Sequence, residues 1–128
     1  MKYSRTYVGA AIAVAAAMFA TAAFAHPELL SSSPADKSEV AAPAAIELKF
    51  SETLTAQFSG ATLTMTGMPG MPDHGAMKVG VSVAAAGDGK TMVIRPNSSL
   101  GAGDYRVDWR AVSSDTHPVT GRLTFKVK

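Results

Sequence analysis

The sequence predicts an all-β domain, a sandwich or barrel of about seven strands, and two observations lead to this prediction. Apolar and polar residues alternate with a period of two in several short segments, which are enriched in β-branched and aromatic residues. Turn-forming residues separate these segments at intervals of roughly ten residues, as in sandwiches and barrels. Beyond the signal-like start of the chain no helical periodicity is present, so we expect a single β domain.

The strand pattern recurs along the chain. In residues 46–50 the three apolar side chains share one face, and Glu47 and Lys49 share the other. The same alternation is found in residues 61–65, 79–83, 105–111 and 123–127, and residues 91–95 are predicted to form a shorter strand that ends at Pro96. Turn signals that separate these segments fall at residues 34–37, 42–43, 87–89 and 101–103.

The beginning of the chain predicts a cleaved export signal. Lys2 and Arg5 form a positive start, and residues 8–20 form an apolar stretch that is short for a membrane-spanning helix. Residues 23–25, Ala-Phe-Ala, fit the small-residue pattern of a signal-peptidase site. An uncleaved membrane anchor is the alternative, but we expect no stable membrane insertion after cleavage. The expected organisation is a signal peptide at 1–25 and one domain at 26–128.

Composition argues against two classes of protein. The chain has 12 basic and 10 acidic residues, but Lys2 and Arg5 leave with the signal, so the mature chain is formally neutral. No run of basic residues interleaved with aromatics is present, and we therefore expect no nucleic-acid partner. The chain has no cysteine, so its stability must come from one apolar core rather than from disulfides.

The most informative local feature is a segment with a donor side chain at every third position. These donors are Met65, Met68, Met71, His74 and Met77. Thioether sulfur is a weak ligand for most biological metals but a good one for Cu(I), so the segment is a candidate Cu(I) site. Interleaved glycines and prolines exclude a helix and disfavour a ladder strand. We therefore expect a loop of polyproline II character, whose three-residue repeat would bring the donors to one side.

A second candidate site forms at the processed N-terminus. Cleavage frees an α-amine on His26, and this amine and the imidazole of the same residue can close a chelate ring on one metal. The ordinary pKa of an α-amine is about 7.7–8.0, so a metal readily displaces its proton near neutrality. Pro27 has no N–H, so Cu(II) must take its other nitrogen and oxygen ligands from elsewhere in the fold.

Asp115 and His117 are the best candidates for those further ligands. They are two residues apart in a segment, 113–118, that joins two strongly patterned strands. An extended backbone there would point both side chains to the same side. Glu52, which follows the strand ending at Phe50, is a further possible oxygen ligand for Cu(II).

Simpler interpretations stay open for these residues. The methionines could form a flexible apolar plug, although gap filling requires no histidine in the same register. Asp115 could cap a turn, and His117 and Glu52 could be solvated surface residues. A hydrolytic triad of Ser113 or Ser114 with Asp115 and His117 is disfavoured, because these residues are too close in sequence and no Gly-x-Ser-x-Gly elbow exists.

Taken together, the residues resemble the CopC/PcoC family of periplasmic copper-resistance proteins over essentially the whole mature chain. The segments that carry the resemblance are 26–29, 48–52, 58–63, the methionine segment and 105–118. The resemblance implies a Greek-key β-barrel or sandwich, cupredoxin- or immunoglobulin-like. It also implies two copper sites, one for Cu(II) at His26, Asp115 and His117 with Glu52 provisional, and one for Cu(I) at Met65, Met68, Met71, His74 and Met77.

The resemblance further implies a carrier or buffer of copper ions in the periplasm, without catalysis, that exchanges copper with a multicopper oxidase or an inner-membrane copper permease. Two alternatives belong to other classes. N-terminal histidine chelation also occurs in copper-dependent polysaccharide monooxygenases, but residues 26–128 leave little room for a substrate platform, and a carboxylate ligand should hinder oxygen activation. The third possibility is a structural β-sandwich with incidental histidines.

Overall fold

The computed structural model describes residues 26–71 and 75–128. The predicted signal peptide at 1–25 and the predicted ligand His74 lie outside these residues, so both stay predictions. No helix in the described part of the chain is long and apolar enough to cross a membrane. The described residues form nine strands rather than about seven. The strands are β1 Leu29–Ser33, β2 Ser38–Val40, β3 Ile46–Phe50, β4 Gly60–Gly67, β5 Met77–Val79, β6 Val81–Ala85, β7 Thr91–Pro96, β8 Gly103–Ala111 and β9 Val119–Val127.

The strands form two sheets, which confirms the predicted all-β sandwich. One sheet has four strands in the order β1-β3-β7-β6, and the other has five in the order β2-β9-β8-β4-β5. Neighbouring strands are antiparallel except β2 and β9, which are parallel. A short 3-10 helix, Ala56–Phe58, precedes β4.

The apolar core lies between the two sheets. Strand β3 places Ile46, Leu48 and Phe50 inward with no exposed surface, as the alternation predicts. Strand β8 faces them with buried residues at alternate positions, and the Phe50 and Trp109 rings meet edge-on with centroids 5.1 Å apart. The outward positions of β8 carry Arg106, Asp108 and Arg110 instead.

Two features of the topology differ from the sequence-based expectation. The apolar run at 79–83 is divided, because β5 belongs to the five-stranded sheet and β6 to the four-stranded sheet. The chain crosses between the sheets at Gly80, where the side-chain nitrogen of Asn97 lies 2.8 Å from the position a Cβ would take. Strands β1 and β2 were not predicted, since Leu29–Ser33 and Ser38–Val40 are short and largely polar and are held at sheet edges by backbone pairing.

Candidate metal centre

Three side chains with metal-binding atoms converge at one end of the sandwich. His26, Asp115 and His117 each offer one donor atom, and these atoms all lie within 4.8 Å of one another. Nδ1 of His26 and Oδ2 of Asp115 are 2.7 Å apart. The two imidazole rings are tilted against each other with centroids 5.8 Å apart. The residues predicted as the core of a Cu(II) site are therefore neighbours in space.

The N-terminal segment is fixed to the end of strand β3. The backbone N–H of Glu28 donates to the hydroxyl of Ser51 at 2.9 Å, and the N–H of Ser51 donates to the carbonyl of Glu28 at 2.9 Å. Pro27, which lies between His26 and Glu28, is fully buried. Because the two residues that follow His26 are held in this way, the imidazole is anchored beside the sandwich even though it is exposed.

The loop between β8 and β9 supplies the other two side chains. Its first residue, Val112, is tied to the segment before β4, since its carbonyl accepts the Thr55 N–H at 2.7 Å and its N–H donates to the Ser59 hydroxyl at 3.0 Å. A turn follows, in which the Thr116 N–H donates to the Ser113 carbonyl at 3.0 Å. Thr116 has a φ of 64°, a left-handed conformation that is unusual for a β-branched residue.

That turn corrects one step of the sequence reasoning. Residues 115–117 were expected to be extended, with Asp115 and His117 on one side by strand alternation. The expected backbone is wrong, because the left-handed Thr116 reverses the chain between them. The two side chains still meet, since the Asp115 carboxylate accepts the backbone N–H of His117 at 3.2 Å. Turn geometry at Thr116 therefore replaces strand geometry as the cause of their proximity.

The two carboxylate oxygens of Asp115 have different surroundings. Oδ1 accepts hydrogen bonds from the Ser113 hydroxyl and from the His117 N–H, both at 3.2 Å. Oδ2 is buried and has no hydrogen bond of acceptable geometry from the described residues, although Nδ1 of His26 is close. One oxygen is thus occupied by the protein, and the other faces the imidazole with a lone pair available.

The protonation state of Asp115 suits a metal ligand. Burial on its own would raise the pKa of this carboxyl. The His117 N–H, the Ser113 hydroxyl and the two nearby imidazoles outweigh that effect, and the pKa lies below its ordinary value. Asp115 is therefore an anion at neutral pH, with Oδ2 free to bind a cation.

The distance between His26 and Asp115 also fits a shared ion. Two ligand atoms bound at right angles to one metal, each about 2.0 Å from it, are about 2.8 Å apart. Nδ1 of His26 and Oδ2 of Asp115 are 2.7 Å apart. Glu52 is half-buried and is not a member of this cluster, so its role as an oxygen ligand stays a prediction.

The methionine segment forms a β-hairpin, and the predicted polyproline II loop is wrong over its described residues. Met68 and Met71 pair across a tight turn, with N–H to carbonyl distances of 3.1 and 2.8 Å in the two directions. Pro69 and Gly70 occupy the two central positions, and Gly70 has the positive φ, 77°, that a type II turn requires at its third residue. Pro69 and Gly70, two of the residues that argued against a strand, therefore make the turn.

The hairpin places four methionines in two separate cross-strand pairs. Met65 of β4 lies directly opposite Met77 of β5, and Met68 lies opposite Met71. Side chains of directly opposed residues project from the same side of a sheet, so each pair presents two neighbouring thioethers. Met68, Met71 and Met77 are exposed, whereas Met65 is half-buried and packs against the core.

Strand β8 separates the two donor sets. Its first residue, Gly103, contacts the side chain of Met65, and its last residue, Ala111, precedes the loop that carries Asp115 and His117. Nine residues of strand extend over roughly 27 Å. A single ion cannot be held by both sets at once.

We call the group of His26, Asp115 and His117 the histidine cluster. Sequence reasoning missed two residues that hold this cluster in place. Ser113 was considered only as a possible nucleophile, but its buried hydroxyl holds the Asp115 carboxylate. Its position two residues before an aspartate in a turn was a usable signal, because serine and aspartate side chains hydrogen-bond locally in turns. Ser51, which holds the segment after His26, had no such signal because its partner is distant in sequence.

Comparisons with known proteins find similar sequences among copper resistance proteins. A model of the CopC domain matches residues 29–128. The chain is 64% identical over 115 residues to copper resistance protein C of Pseudomonas syringae pv. tomato, covering 89% of this chain and 90% of the relative. It is 62% identical over 109 residues to copper resistance protein C of Escherichia coli, covering 85% and 86%.

Solved structures show the same fold. The crystal structure of PcoC, a methionine-rich copper resistance protein from Escherichia coli, matches with a TM-score of 0.75 and 62% identity, over 81% of this chain and all of that one. CopC from Methylosinus trichosporium OB3b matches with a TM-score of 0.67 and 27% identity, over 80% of this chain and 94% of that one.

Proposed function

This chain belongs to the CopC family, and from that premise we propose that it is a periplasmic carrier or buffer of copper ions. In this proposal the mature protein binds Cu(II) at His26, Asp115 and His117 and binds Cu(I) at the methionine hairpin. It does so without catalysing a reaction of its own.

The convergence of His26, Asp115 and His117 carries the proposal. Two imidazoles and one carboxylate supply nitrogen and oxygen donors, which Cu(II) prefers in a square-planar or tetragonal arrangement. Cleavage after residue 25 adds the α-amine of His26 as a fourth donor and closes a chelate ring with its imidazole. The burial of Pro27 and the hydrogen bonds of Glu28 support this reading, because they hold the new terminus next to the loop.

The paired thioethers support a separate Cu(I) site. Four methionines in two cross-strand pairs offer soft donors on a hairpin, with three of the four exposed. Cu(I) binds soft thioether donors readily. His74 completes the proposed donor set. It is included on the spacing of the donors in the sequence alone.

The separation of the two donor sets bears on how copper is exchanged. Roughly 27 Å of strand β8 lies between them, so an ion cannot pass from one set to the other without leaving the protein. We therefore assign delivery and removal of copper to outside partners, with a multicopper oxidase and an inner-membrane permease as the proposed classes.

The decisive experiment uses the exported protein. Its mass shows whether the chain begins at His26, and electron paramagnetic resonance of the protein with one equivalent of Cu(II) reports the ligands. We expect one nitrogen- and oxygen-ligated Cu(II) per chain, lost in His26→Gln, His117→Gln and Asp115→Asn. The matched control is Glu47→Gln, which changes an exposed carboxylate on β3 that is not a member of the histidine cluster. Unchanged spectra and affinity in the three ligand variants would contradict the proposal and favour a structural sandwich.

A further inference from the structure

The outer face of the five-stranded sheet concentrates arginine. Residues 26–128 contain four arginines, and three of them, Arg106, Arg110 and Arg122, lie on this face. Asp108 is the carboxylate between them, since Asp104 at the far end of β8 is paired with Lys126. A chain whose mature form is formally neutral thus has one face with a local excess of guanidinium groups.

The three guanidinium groups are held in place by their Nε atoms. Arg106 and Arg122 donate from Nε to the two oxygens of Asp108, at 2.8 and 2.7 Å, and Arg110 donates from Nε to the carbonyl of Phe58 at 3.2 Å. Within the described residues the terminal Nη atoms make no further hydrogen bond. Each fork is therefore oriented in advance, with its two outer nitrogens available to a carboxylate.

Two of these arginines, Arg110 and Arg122, border an open groove, which we call the arginine groove. It has a volume of about 750 Å³. Its lining also includes Phe58, Thr62, Asp108 and Thr120. Phe58 is 54% exposed although it is a large apolar residue, and its backbone carbonyl accepts the Nε–H of Arg110. Aromatic residues and arginine are enriched at energetically important positions of protein interfaces, whereas lysine is depleted there.

The arginine groove adjoins the histidine cluster. Arg110 pairs with Thr120 in the β8–β9 ladder, and the next pair, Ala111 with Val119, is the last before the loop that carries Asp115 and His117. The short helix that ends at Phe58 is bounded by residues that hydrogen-bond to Val112 of the same loop. A protein docked in the groove would lie next to the exposed imidazoles.

We propose that the arginine groove docks an acidic segment of a partner protein, with carboxylates flanking an apolar side chain. The carboxylates pair with the outer nitrogens of Arg110 and Arg122, and the apolar side chain packs on Phe58. Resting on the function proposed above, the partner is one that takes copper from, or delivers it to, the histidine cluster.

Charge and shape favour a protein over an anionic lipid surface. The two arginines on β8 are separated by roughly 13 Å, and Arg122 lies on the neighbouring strand opposite Asp108, about 5 Å away. Asp108 would repel a uniform sheet of lipid phosphates, whereas a protein segment can leave that position uncharged. The exposed ring of Phe58 in the groove offers an apolar contact, which a layer of charged headgroups would not fill.

The docking test uses copper-free mature protein and a blocked pentapeptide with one leucine flanked by two glutamates on each side. Titration followed by nuclear magnetic resonance should shift the Nε–H signals of Arg110 and Arg122. We expect the double variant Arg110→Gln/Arg122→Gln to weaken binding at least about tenfold. Phe58→Ala, which removes no charge, should weaken it about threefold. The matched control Lys49→Gln/Arg95→Gln removes the same charge from the four-stranded sheet and should change binding less than about twofold.

Two results would overturn docking at this groove. Equal weakening by the two double variants would mean general charge attraction. Arginine-dependent binding to phosphatidylglycerol vesicles without binding to the peptide would mean a membrane surface. Because the protein is copper-free, these outcomes do not depend on whether the cluster binds Cu(II).

The link to copper has its own measurement. Cu(II)-loaded protein is mixed with a Gly-Gly-His chelator that carries the acidic pentapeptide, or with the chelator alone. We expect the acidic tail to speed transfer about tenfold from the wild type and not from Arg110→Gln/Arg122→Gln, which retains the wild-type Cu(II) spectrum. Equal transfer rates with and without the tail would overturn the copper link, and a protein that binds no Cu(II) would instead overturn the proposed function.

Discussion

Ser113 donates its hydroxyl hydrogen to Oδ1 of Asp115 at 3.2 Å from a position that is only 2% exposed. This contact orients the carboxylate, because the oxygen that Ser113 holds is not the oxygen that faces His26. Groups that hydrogen-bond to a metal ligand commonly change metal affinity when they are removed. The hydroxyl of Ser113 therefore orients a ligand of the proposed Cu(II) site.

Ser113→Ala should lower the Cu(II) affinity of the mature protein about tenfold to a hundredfold. The carboxylate then rotates more freely and can offer either oxygen, so the copper hyperfine splitting should also change. Competition titration and electron paramagnetic resonance measure the two effects. Ser114→Ala is the matched control, since Ser114 is the exposed neighbour and should leave both quantities unchanged. An affinity equal to that of the wild type in Ser113→Ala would refute this role.

Much of the fold and of the candidate site followed from local patterns. Alternation located β3, β4, β8 and β9 within a few residues, because each of these strands has one face on the core. It failed at 79–83, where both halves of the run face the same core from different sheets. A period of two reports which side chains are buried but does not report a crossing between sheets.

The site was predictable by residue type and not by backbone. His26, Asp115 and His117 were identifiable because imidazole and carboxylate groups are common metal ligands. The chain has only three histidines, and Asp115 lies two residues before one of them. The left-handed Thr116 that joins the last two was not, since no propensity favours that conformation for threonine. The Met68–Met71 turn was readable in principle, because Pro-Gly at the centre of four residues is a standard turn signature.

Met68→Leu/Met71→Leu should weaken Cu(I) binding by at least about tenfold while leaving Cu(II) binding unchanged. Leucine keeps the size and apolar character of methionine and removes the sulfur, so the hairpin persists without its donors. Competition with a chromophoric Cu(I) chelator measures the loss. Met92→Leu is the matched control, since Met92 is buried in β7 and its sulfur cannot reach the hairpin. Unchanged Cu(I) affinity in the double variant would show that the methionines serve packing alone.

Gly121→Ala should destabilise the fold by about 1–3 kcal/mol. Gly121 lies opposite Trp109 in the β8–β9 ladder, and a Cβ there would overlap the indole ring. The ring cannot move away easily because it packs against Phe50 on its other side. Denaturant unfolding followed by the fluorescence of Trp109, the one tryptophan of the chain, measures the change. Gly87→Ala is the control, because a Cβ at Gly87 meets nothing within 4 Å, and a similar loss in both variants would contradict the explanation.

Tyr105→Phe should lower stability by about 1 kcal/mol near neutral pH and remove one source of alkaline destabilisation. The phenol donates to the carbonyl of Gly101 at 2.7 Å, and burial raises its pKa. Because the folded pKa exceeds the unfolded value of about 10, the folded state retains the proton longer. Stability is therefore full below about pH 10 and falls as the pH rises towards the folded pKa.

Unfolding curves between about pH 8 and 11.5 should show this additional loss in the wild type and not in Tyr105→Phe. Tyr105 is the only tyrosine in residues 26–128, so absorbance of the phenolate reports its titration directly. Parallel pH profiles for the two proteins would mean that the phenol is not protected in the folded state.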